Sequence, residues 1–342
     1  MNKKKILFVI TISFIIVGIV SYNFHQFFFG EIIKENKIIY IYSEDSIEDV
    51  KKGLTELIKD EDVFTWLAEK KKYTKPKAGK YLLKKGMSLN DVINLLRSGK
   101  QIPVQLSFNN QNTLENLAGR ISYQIEADSV SLIEAFTNRK YLSKENITRA
   151  QMLGYFIPNT YEFFWNTSAQ KFIDRMMNEY NQFWNSSRLE KAKALKMSPS
   201  QIITLASIVQ KETPKAIEQP RVAGLYLNRI KKGIPLQADP TIIYILKQKY
   251  GQDFTVKRVL FKDLKIKSPY NTYLHKGVPP SLIAMPDISA IDAVLDYEKH
   301  NYLYMCVDVE KFGYHTFAIS MRQHQINARK YHLWLNKQGI NR

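Results

Sequence analysis

An uncharged stretch from Ile6 to Phe29, the longest in the chain, opens the sequence. Its strongly apolar part is close to the roughly 20 residues that cross a bilayer as an α-helix. The three lysines before it favour a cytoplasmic N-terminus, and aromatic residues from Tyr22 onward suit the opposite membrane interface. The pattern predicts a cytoplasmic tail over residues 1–5 and a transmembrane anchor over residues 6–29.

A cleaved signal peptide is the main alternative for this stretch. Signal peptides have a shorter apolar segment followed by a small-residue cleavage site. The sequence SYNFHQFFFGE, residues 21–31, offers no such site. An uncleaved anchor is therefore predicted, with every later residue outside the cytoplasm.

From residue 30 to residue 110 the pattern predicts a small α+β module. The β-branched and aromatic run KIIYIY indicates a strand, and two helical segments and a second strand at Lys80–Leu83 follow. Ser88 is a good N-cap for the next helix, and Gly99 is expected to end it. A strand at Ile102–Phe108 closes the module.

Residues 112 to 195 are predicted to be mostly helical, with one aromatic insert, MLGYFIPNTYEFFWNTS. Aromatic side chains can stack on the apolar faces of sugar rings, but they more often form the core of a domain. The pattern of this insert is compatible with both uses.

The stretch MSPSQIITLASIVQKETP predicts a helix with clear ends. Ser198 can cap it, Pro199 suits its first position, and Gln201 completes a capping box. Pro214 disfavours helical geometry at the residue before it, so the helix should end at Thr213.

Glu212 extends the apolar face of this helix, because it follows Leu205, Ile208 and Val209 at helical spacing. Gln210 lies about 200° around the helix, so the two side chains cannot share a site. Poor solvation and the negative helix end both raise the pKa of such a carboxyl, as general-acid catalysis requires. The structural alternative is a glutamate held by Arg221, Arg229 or a backbone amide.

The formal net charge of +18 indicates an anionic partner: nucleic acid, anionic lipid or an acidic cell-wall polymer. No zinc-finger spacing, RNP-type motif or glycine-rich phosphate loop is present, and an extracytoplasmic location argues against nucleic acid. The single cysteine, Cys306, excludes an intrachain disulfide, and its apolar neighbours predict a packed thiol in a buried strand. No metal or cofactor is expected.

Four further motifs follow the IVQKE turn: LQADPT, SPYNTY, a GVPP segment and YHTF. In this order they resemble the endolytic murein transglycosylase family, whose members are also described as YceG-like. The resemblance runs from about Gly79 to the C-terminus.

The resemblance implies a single-pass inner-membrane protein with a LysM-like module over residues 30–110 and a mixed α/β catalytic domain over residues 111–342 facing the periplasm. It implies cleavage of the β-1,4 bond between N-acetylmuramic acid and N-acetylglucosamine in nascent peptidoglycan, which leaves a 1,6-anhydro end and terminates elongation. Peptidoglycan synthases of the elongation machinery are the implied protein partners.

Residue by residue, Glu212 matches the family's essential glutamate and is the predicted general acid and base. Predicted substrate-binding residues are Gln237, Asp239, Asn271, Thr272, Tyr273, Asn228, His315, His324 and Tyr161, and each is also a credible structural hydrogen bonder. The chain departs from the family pattern at Leu153, Asn159 and Gln210, where many relatives have acidic residues. Roles of those acids do not transfer to this chain.

Two other functions remain open at this point. A membrane-anchored scaffold could bind peptidoglycan without cleaving it. A hydrolase would need a second carboxylate about 5 to 9 Å from the first, for which Asp239 is the candidate.

Overall fold

The computed structural model describes residues 3–58, 61–256, 258–311 and 313–337. Residues 1–2 of the predicted cytoplasmic tail and residues 338–342 of the predicted catalytic domain lie outside the described residues. The described chain is α+β and divides into two compact units. The first runs to residue 106 and adds residues 123–127 and 161–168, and the second holds the rest. The predicted boundary between residues 110 and 111 stays a prediction.

The α-helices fall into a short N-terminal series and a longer C-terminal series. In chain order they are α1 Lys3–Phe29, α2 Ile47–Gly53, α3 Glu61–Lys70, α4 Leu89–Ser98, α5 Leu114–Ser122, α6 Ser129–Thr137, α7 Arg139–Glu145, α8 Arg149–Met152, α9 Ala169–Phe183, α10 Ser186–Ala194, α11 Pro199–Glu212, α12 Gln219–Lys231, α13 Asp239–Tyr250, α14 Ile288–Leu295 and α15 Met321–Lys337. Two short 3₁₀ segments span Leu153–Tyr155 and Asp263–Lys265.

The described strands form three two-stranded sheets. They are β1 Lys37–Ile41, β2 Gly79–Leu83, β3 Val104–Phe108, β4 Asn159–Phe163, β5 Tyr304–Val307 and β6 His315–Ala318. The pairs are β1 with β2, β3 with β4, and β5 with β6. The first and last pairs are antiparallel, with Ile39 opposite Tyr81 and Cys306 opposite Thr316.

The N-terminal apolar stretch forms α1, but it does not provide the expected anchor. Among the described residues, no helix has both the length and the apolar character that crossing a membrane requires. The prediction of a transmembrane helix over residues 6–29 is therefore wrong. The last turns of α1 carry the polar residues His25 and Gln26. Phe28, which was expected at a membrane interface, is buried, and its ring centroid lies 5.2 Å from that of Trp66.

The first unit has the predicted order of strand, helix, helix, strand, followed by a helix and a strand. Ser88 caps α4 in a capping box with Asp91, and Gly99 ends it in the left-handed conformation. Buried apolar side chains from β1, β2 and α2 to α4 form its core, together with Phe28 from α1. The structure does not test whether this module is LysM-like.

In the second unit α11 is the central helix. Every residue from Ile202 to Val209 is buried, so the helix is covered on all sides rather than along one stripe. It packs against α10, α12, α13 and α14. Ser198, Pro199 and Gln201 form the predicted capping box, and Thr213 is the C-cap in an extended conformation.

Helix α12 crosses the segment around His300 at very short range. A Cβ added at Gly224 would lie 2.3 Å from the carbonyl oxygen of Glu298 and 2.8 Å from Nε2 of His300. Only glycine permits this approach, and it fixes the position of α12.

We expect Gly224→Ala to lower the free energy of unfolding by about 1–3 kcal/mol, because the backbone of residue 298 must move to admit the methyl group. Gly119→Ala in α5 is the matched control: its Cβ meets nothing within 4 Å. The control should gain about 0.5–1 kcal/mol from helix propensity. Denaturant unfolding measures both, and equal effects of the two substitutions would contradict the packing argument.

Candidate active site

Glu212 is the last residue of α11, and its carboxyl group emerges where the buried part of the helix ends. The hydroxyl of Tyr226, on α12, donates a hydrogen bond of 2.5 Å to Oε1 of Glu212. Tyr226 is only 1% exposed. The bond therefore joins two side chains from adjacent helices and provides a partner for a buried hydroxyl.

The environment of Glu212 raises its pKa from 4.5 to about 7. Burial is the main cause, because a carboxylate loses hydration there. The hydrogen bond from Tyr226 acts in the opposite direction, since it stabilises the ionised form, and the negative charge of Asp239 raises the pKa further. The carboxyl group is thus poised to give and take a proton near neutral pH.

Neither arginine of the structural alternative holds Glu212. Arg221 donates to both carboxylate oxygens of Glu298 at 3.0 Å. Arg229 is buried and donates to the carbonyl oxygens of Pro235 and Leu303 and to the side chain of Gln237. The partner of the carboxyl group is a tyrosine, which leaves its protonation state adjustable.

The LQADPT motif forms a tight loop and the start of α13. Gln237 adopts a left-handed conformation, φ 54°, and its backbone N–H donates to the carbonyl oxygen of Thr272. This loop leaves the side chains of Gln237 and Asp239 exposed. The hydroxyl of Tyr273 donates a 2.5 Å hydrogen bond to Oδ1 of Asp239.

These groups border one cleft of about 760 Å³ in the second unit. Its walls come from α12, α13, β5, β6 and α15 and from loop residues near positions 237, 256, 258, 259 and 273. The volume lies within the range of about 300–1,000 Å³ that is usual for ligand sites. Cys306 lies in β5 as a strand residue, but it is only half-buried and borders this cleft. Burial raises the pKa of its thiol, which disfavours a nucleophilic thiolate.

Two histidines complete the cleft wall. His315 contacts the buried carboxylate of Glu218, with Nδ1 2.9 Å from Oε2. His324, on α15, stacks on Tyr304 with ring centroids 5.4 Å apart. Burial and the positive charge of Arg229 lower the pKa of His324, so its ring is neutral at neutral pH.

A family model described as the YceG-like family matches residues 39–330. The chain belongs to this family. The resemblance carried by the motifs is thereby confirmed.

Relatives of this YceG-like chain include two proteins named endolytic murein transglycosylase. One, from Bacillus subtilis (strain 168), is 28% identical over 292 residues, which cover 81% of this chain and 79% of that protein. The other, from Streptococcus pneumoniae (strain D39), is 28% identical over 302 residues and 80% of this chain, but the match spans only 54% of its own length. A crystal structure of a YceG-like protein from Listeria monocytogenes aligns with a TM-score of 0.55 and 26% identity, covering 86% of this chain and 99% of that one.

Predicted site residues of the YceG-like chain fall into two groups. Those that line the cleft are Glu212, Gln237, Asp239, Tyr273, His315 and His324. The other four lie elsewhere: Asn271 and Thr272 are buried beside it, Asn228 donates to the carbonyl oxygens of His300 and Tyr302, and Tyr161 is buried in β4. Direct substrate contact by any of the ten stays a prediction.

Asn271 and Thr272 shape the cleft from behind. The side-chain amide of Asn271 donates to the carbonyl oxygens of Leu264 and Ile266 at 3.0 and 2.8 Å. The hydroxyl of Thr272 accepts from the backbone N–H of Ala238 at 3.0 Å. The Thr272 bond joins the two motif loops and so places Tyr273 and Asp239, while the Asn271 bonds anchor the SPYNTY loop to the segment before it.

Gln210 points away from Glu212, as helical spacing predicts. Its amide donates to the carboxylate of Asp287 at 2.8 Å, and its carbonyl accepts the backbone N–H of Asp287 at 2.6 Å. A neutral amide suits this place, because a second carboxylate would repel Asp287. Of the other departures from the family pattern, Leu153 is buried and Asn159 is exposed at the start of β4.

The sequence did not predict three roles in the site: Tyr226 as the partner of Glu212, Arg229 as a cleft residue, and Glu218 as the partner of His315. Tyr226 and Arg229 lie three residues apart, hence on one face of α12. A charged residue on a helix face with buried neighbours is the signal that could have pointed to them. For Glu218 the sequence carries no local signal, because its partner lies 97 residues away.

We expect Tyr226→Phe and Asp239→Asn to move the pH dependence of activity in opposite directions. If Glu212 acts in its protonated form, activity falls as the pH rises through its pKa of about 7. Loss of the Tyr226 hydroxyl removes a bond that stabilises the carboxylate, so the midpoint rises. Loss of the Asp239 charge removes a repulsion, so the midpoint falls. A pH–rate profile of each variant measures this, and shifts of the same sign would contradict the assignment.

Glu212→Gln should stabilise the protein above pH 7 and have little effect below pH 4.5. Between these values the unfolded chain releases the Glu212 proton while the folded chain keeps it, so wild-type stability falls as the pH rises. The expected gain is on the order of 3 kcal/mol and complete above about pH 7. Denaturant unfolding at pH 4 and pH 8 tests it, and an equal effect at both pH values would contradict the raised pKa.

Proposed function

We propose that this YceG-like chain is an endolytic lytic transglycosylase. It cleaves the β-1,4 bond between N-acetylmuramic acid and N-acetylglucosamine in peptidoglycan and leaves a 1,6-anhydro end. The enzyme class agrees with the name that the Bacillus and Streptococcus relatives carry.

One observation carries the proposal. The carboxyl group of Glu212, one of the two that border the cleft with Asp239, is held protonated up to about pH 7 and has a tyrosine rather than an arginine as its partner. A glycosidic oxygen must be protonated before it can leave, and a carboxyl group with this pKa can donate that proton under neutral conditions.

The proposed reaction needs no water. Glu212 donates its proton to the bridging oxygen, and the bond from the muramoyl anomeric carbon to that oxygen breaks. The 6-hydroxyl of the same muramoyl residue then attacks the anomeric carbon and closes the 1,6-anhydro ring. Its proton passes to the Glu212 carboxylate, which restores the starting state. An internal nucleophile has a high effective concentration, so a second catalytic carboxylate is not required.

Peptidoglycan, the proposed substrate, lies outside the cytoplasm. We propose that the catalytic cleft acts there, on nascent strands, and that cleavage ends their elongation. The net charge of +18 is consistent with an anionic polymer as substrate. Association with peptidoglycan synthases stays a prediction.

Hydrolysis is the second candidate, because one observation favours it. Asp239 is an exposed carboxylate in the same cleft as Glu212, and its charge acts on the Glu212 pKa. A glycoside hydrolase uses such a second carboxylate as a nucleophile or as a base for water. The hydrogen bond that Asp239 accepts from Tyr273 instead suits a carboxylate that keeps a fixed position beside the substrate.

Purified full-length protein incubated with peptidoglycan tests the proposal. We expect new 1,6-anhydromuramoyl ends by mass spectrometry, and a loss of at least about a hundredfold in their rate for Glu212→Gln. Glu115→Gln on α5, which removes an exposed ion pair with Arg149 at the start of α8, is the matched control and should keep full activity.

Borohydride distinguishes the outcomes, because hydrolytic ends are reduced by it and anhydro ends are not. New reducible ends would replace the proposal with the hydrolase. A wild type that binds glycan without forming either end would replace it with the scaffold.

A further inference from the structure

A buried carboxylate in the second unit has no part in the proposed chemistry. Glu218 lies just before α12 and is 5% exposed. Both of its oxygens serve one residue: Oε1 accepts the backbone N–H of His315 at 2.7 Å, and Oε2 lies 2.9 Å from Nδ1 of the same residue. Burial of a carboxylate is unfavourable unless hydrogen bonds offset it, so this pair is a built arrangement.

The pair fixes the orientation of the His315 ring. His315 is the first residue of β6, opposite Val307 in β5, so its backbone is held by the sheet as well as by Glu218. A carboxylate can only accept a hydrogen bond, so Nδ1 carries the proton that it shares with Glu218. In the neutral ring Nε2 is then left with a lone pair, as an acceptor.

The Nε2 edge is the one available to a ligand. His315 borders the cleft that also contains Glu212, while its opposite ring edge is turned to buried Glu218. Two other polar groups of the cleft wall are already engaged: Arg229 donates to two carbonyl oxygens, and Asp239 accepts from Tyr273. A glycan presents hydroxyl and acetamido N–H donors, which need acceptors of this kind.

We propose that His315 binds the substrate, with Nε2 accepting a hydrogen bond from a hydroxyl or acetamido N–H of the glycan. Glu218 is the positioning residue that holds the ring in the Nδ1–H tautomer. The inference rests on the proposed function, because it takes the cleft to be the glycan site. Glu218, only six residues after Glu212 in the chain, thereby gains a positioning role.

Two isosteric variants of His315 distinguish the roles of its two ring nitrogens. His315→Asn keeps a polar group near Nδ1 but none near Nε2, and we expect a 10- to 100-fold lower kcat/KM for anhydro-end formation at an unchanged Tm. His315→Gln can place its amide oxygen near the position of Nε2 and should recover most of the activity. His275→Asn, the same change at an exposed histidine that does not line the cleft, is the control and should behave as wild type.

Glu218→Gln tests the positioning role directly. Its carbonyl must still accept from the His315 backbone, so its amide N–H₂ faces Nδ1 and moves the ring proton to Nε2. Nitrogen-15 chemical shifts of His315 should show the Nδ1–H tautomer in wild type and the Nε2–H tautomer in the variant, with a fall in kcat/KM similar to that of His315→Asn. A purely structural Glu218 would change Tm without linking the tautomer to the rate.

Two outcomes would overturn the inference. One is a folded His315→Asn variant within twofold of wild-type kcat/KM, and the other is an unchanged tautomer in Glu218→Gln. Failure of the proposed function is distinguishable, because wild type would then form no anhydro ends. In that case the affinity for a GlcNAc–MurNAc tetrasaccharide, measured in a Glu212→Gln background, decides: His315→Asn should weaken it about tenfold, and an equal affinity would refute the contact.

Discussion

The hydrogen bond between Tyr226 and Glu212 is the interaction on which the rest of the second unit depends. Helix α11 is buried on every side up to Val209, so its last residue cannot turn its carboxyl group freely to solvent. Tyr226 is buried on α12 and would leave its hydroxyl without a partner if the carboxyl group were absent. Each group therefore makes the burial of the other tolerable. The bond limits the rise in the Glu212 pKa that burial and the charge of Asp239 cause together, and the resulting pKa is about 7.

The surrounding motifs keep this pair in place. Glycine at position 224 lets α12 approach the segment around His300, which sets the distance from α12 to the rest of the unit. Buried Arg229 joins the start of β5 to the LQADPT loop, because it donates to Leu303, Pro235 and Gln237. Thr272 fastens the SPYNTY loop to the same LQADPT loop, and Asn271 fastens it to the segment around Leu264. Many motif residues thus hold the loops in place, and only some of their side chains line the cleft.

Local signals in the sequence predicted local structure well. Helix ends depend on interactions within a few residues, and the structure has the ends that were predicted from Ser88, Gly99, Ser198 and Pro199.

The separation of Glu212 from Gln210 follows from helix geometry alone, and their different partners agree with it. The partners themselves are 14 and 77 residues away, and no periodicity reports contacts at that range. Similar limits apply to Asn271 and Thr272, whose polar side chains resemble ligand-binding groups in sequence but are bonded to loop backbone. At the N-terminus the apolar pattern predicted a membrane anchor that no helix of the described residues provides.

The carboxyl group of Glu212 stays protonated to near-neutral pH, and its assignment as the general acid depends on this. Carbon-13 NMR of protein labelled at the glutamate side-chain carboxyl, with the Glu212 signal assigned by its loss in Glu212→Gln, measures this directly. We expect a titration midpoint near 7 for this signal. A midpoint near 4.5, the ordinary value for glutamate, would contradict it.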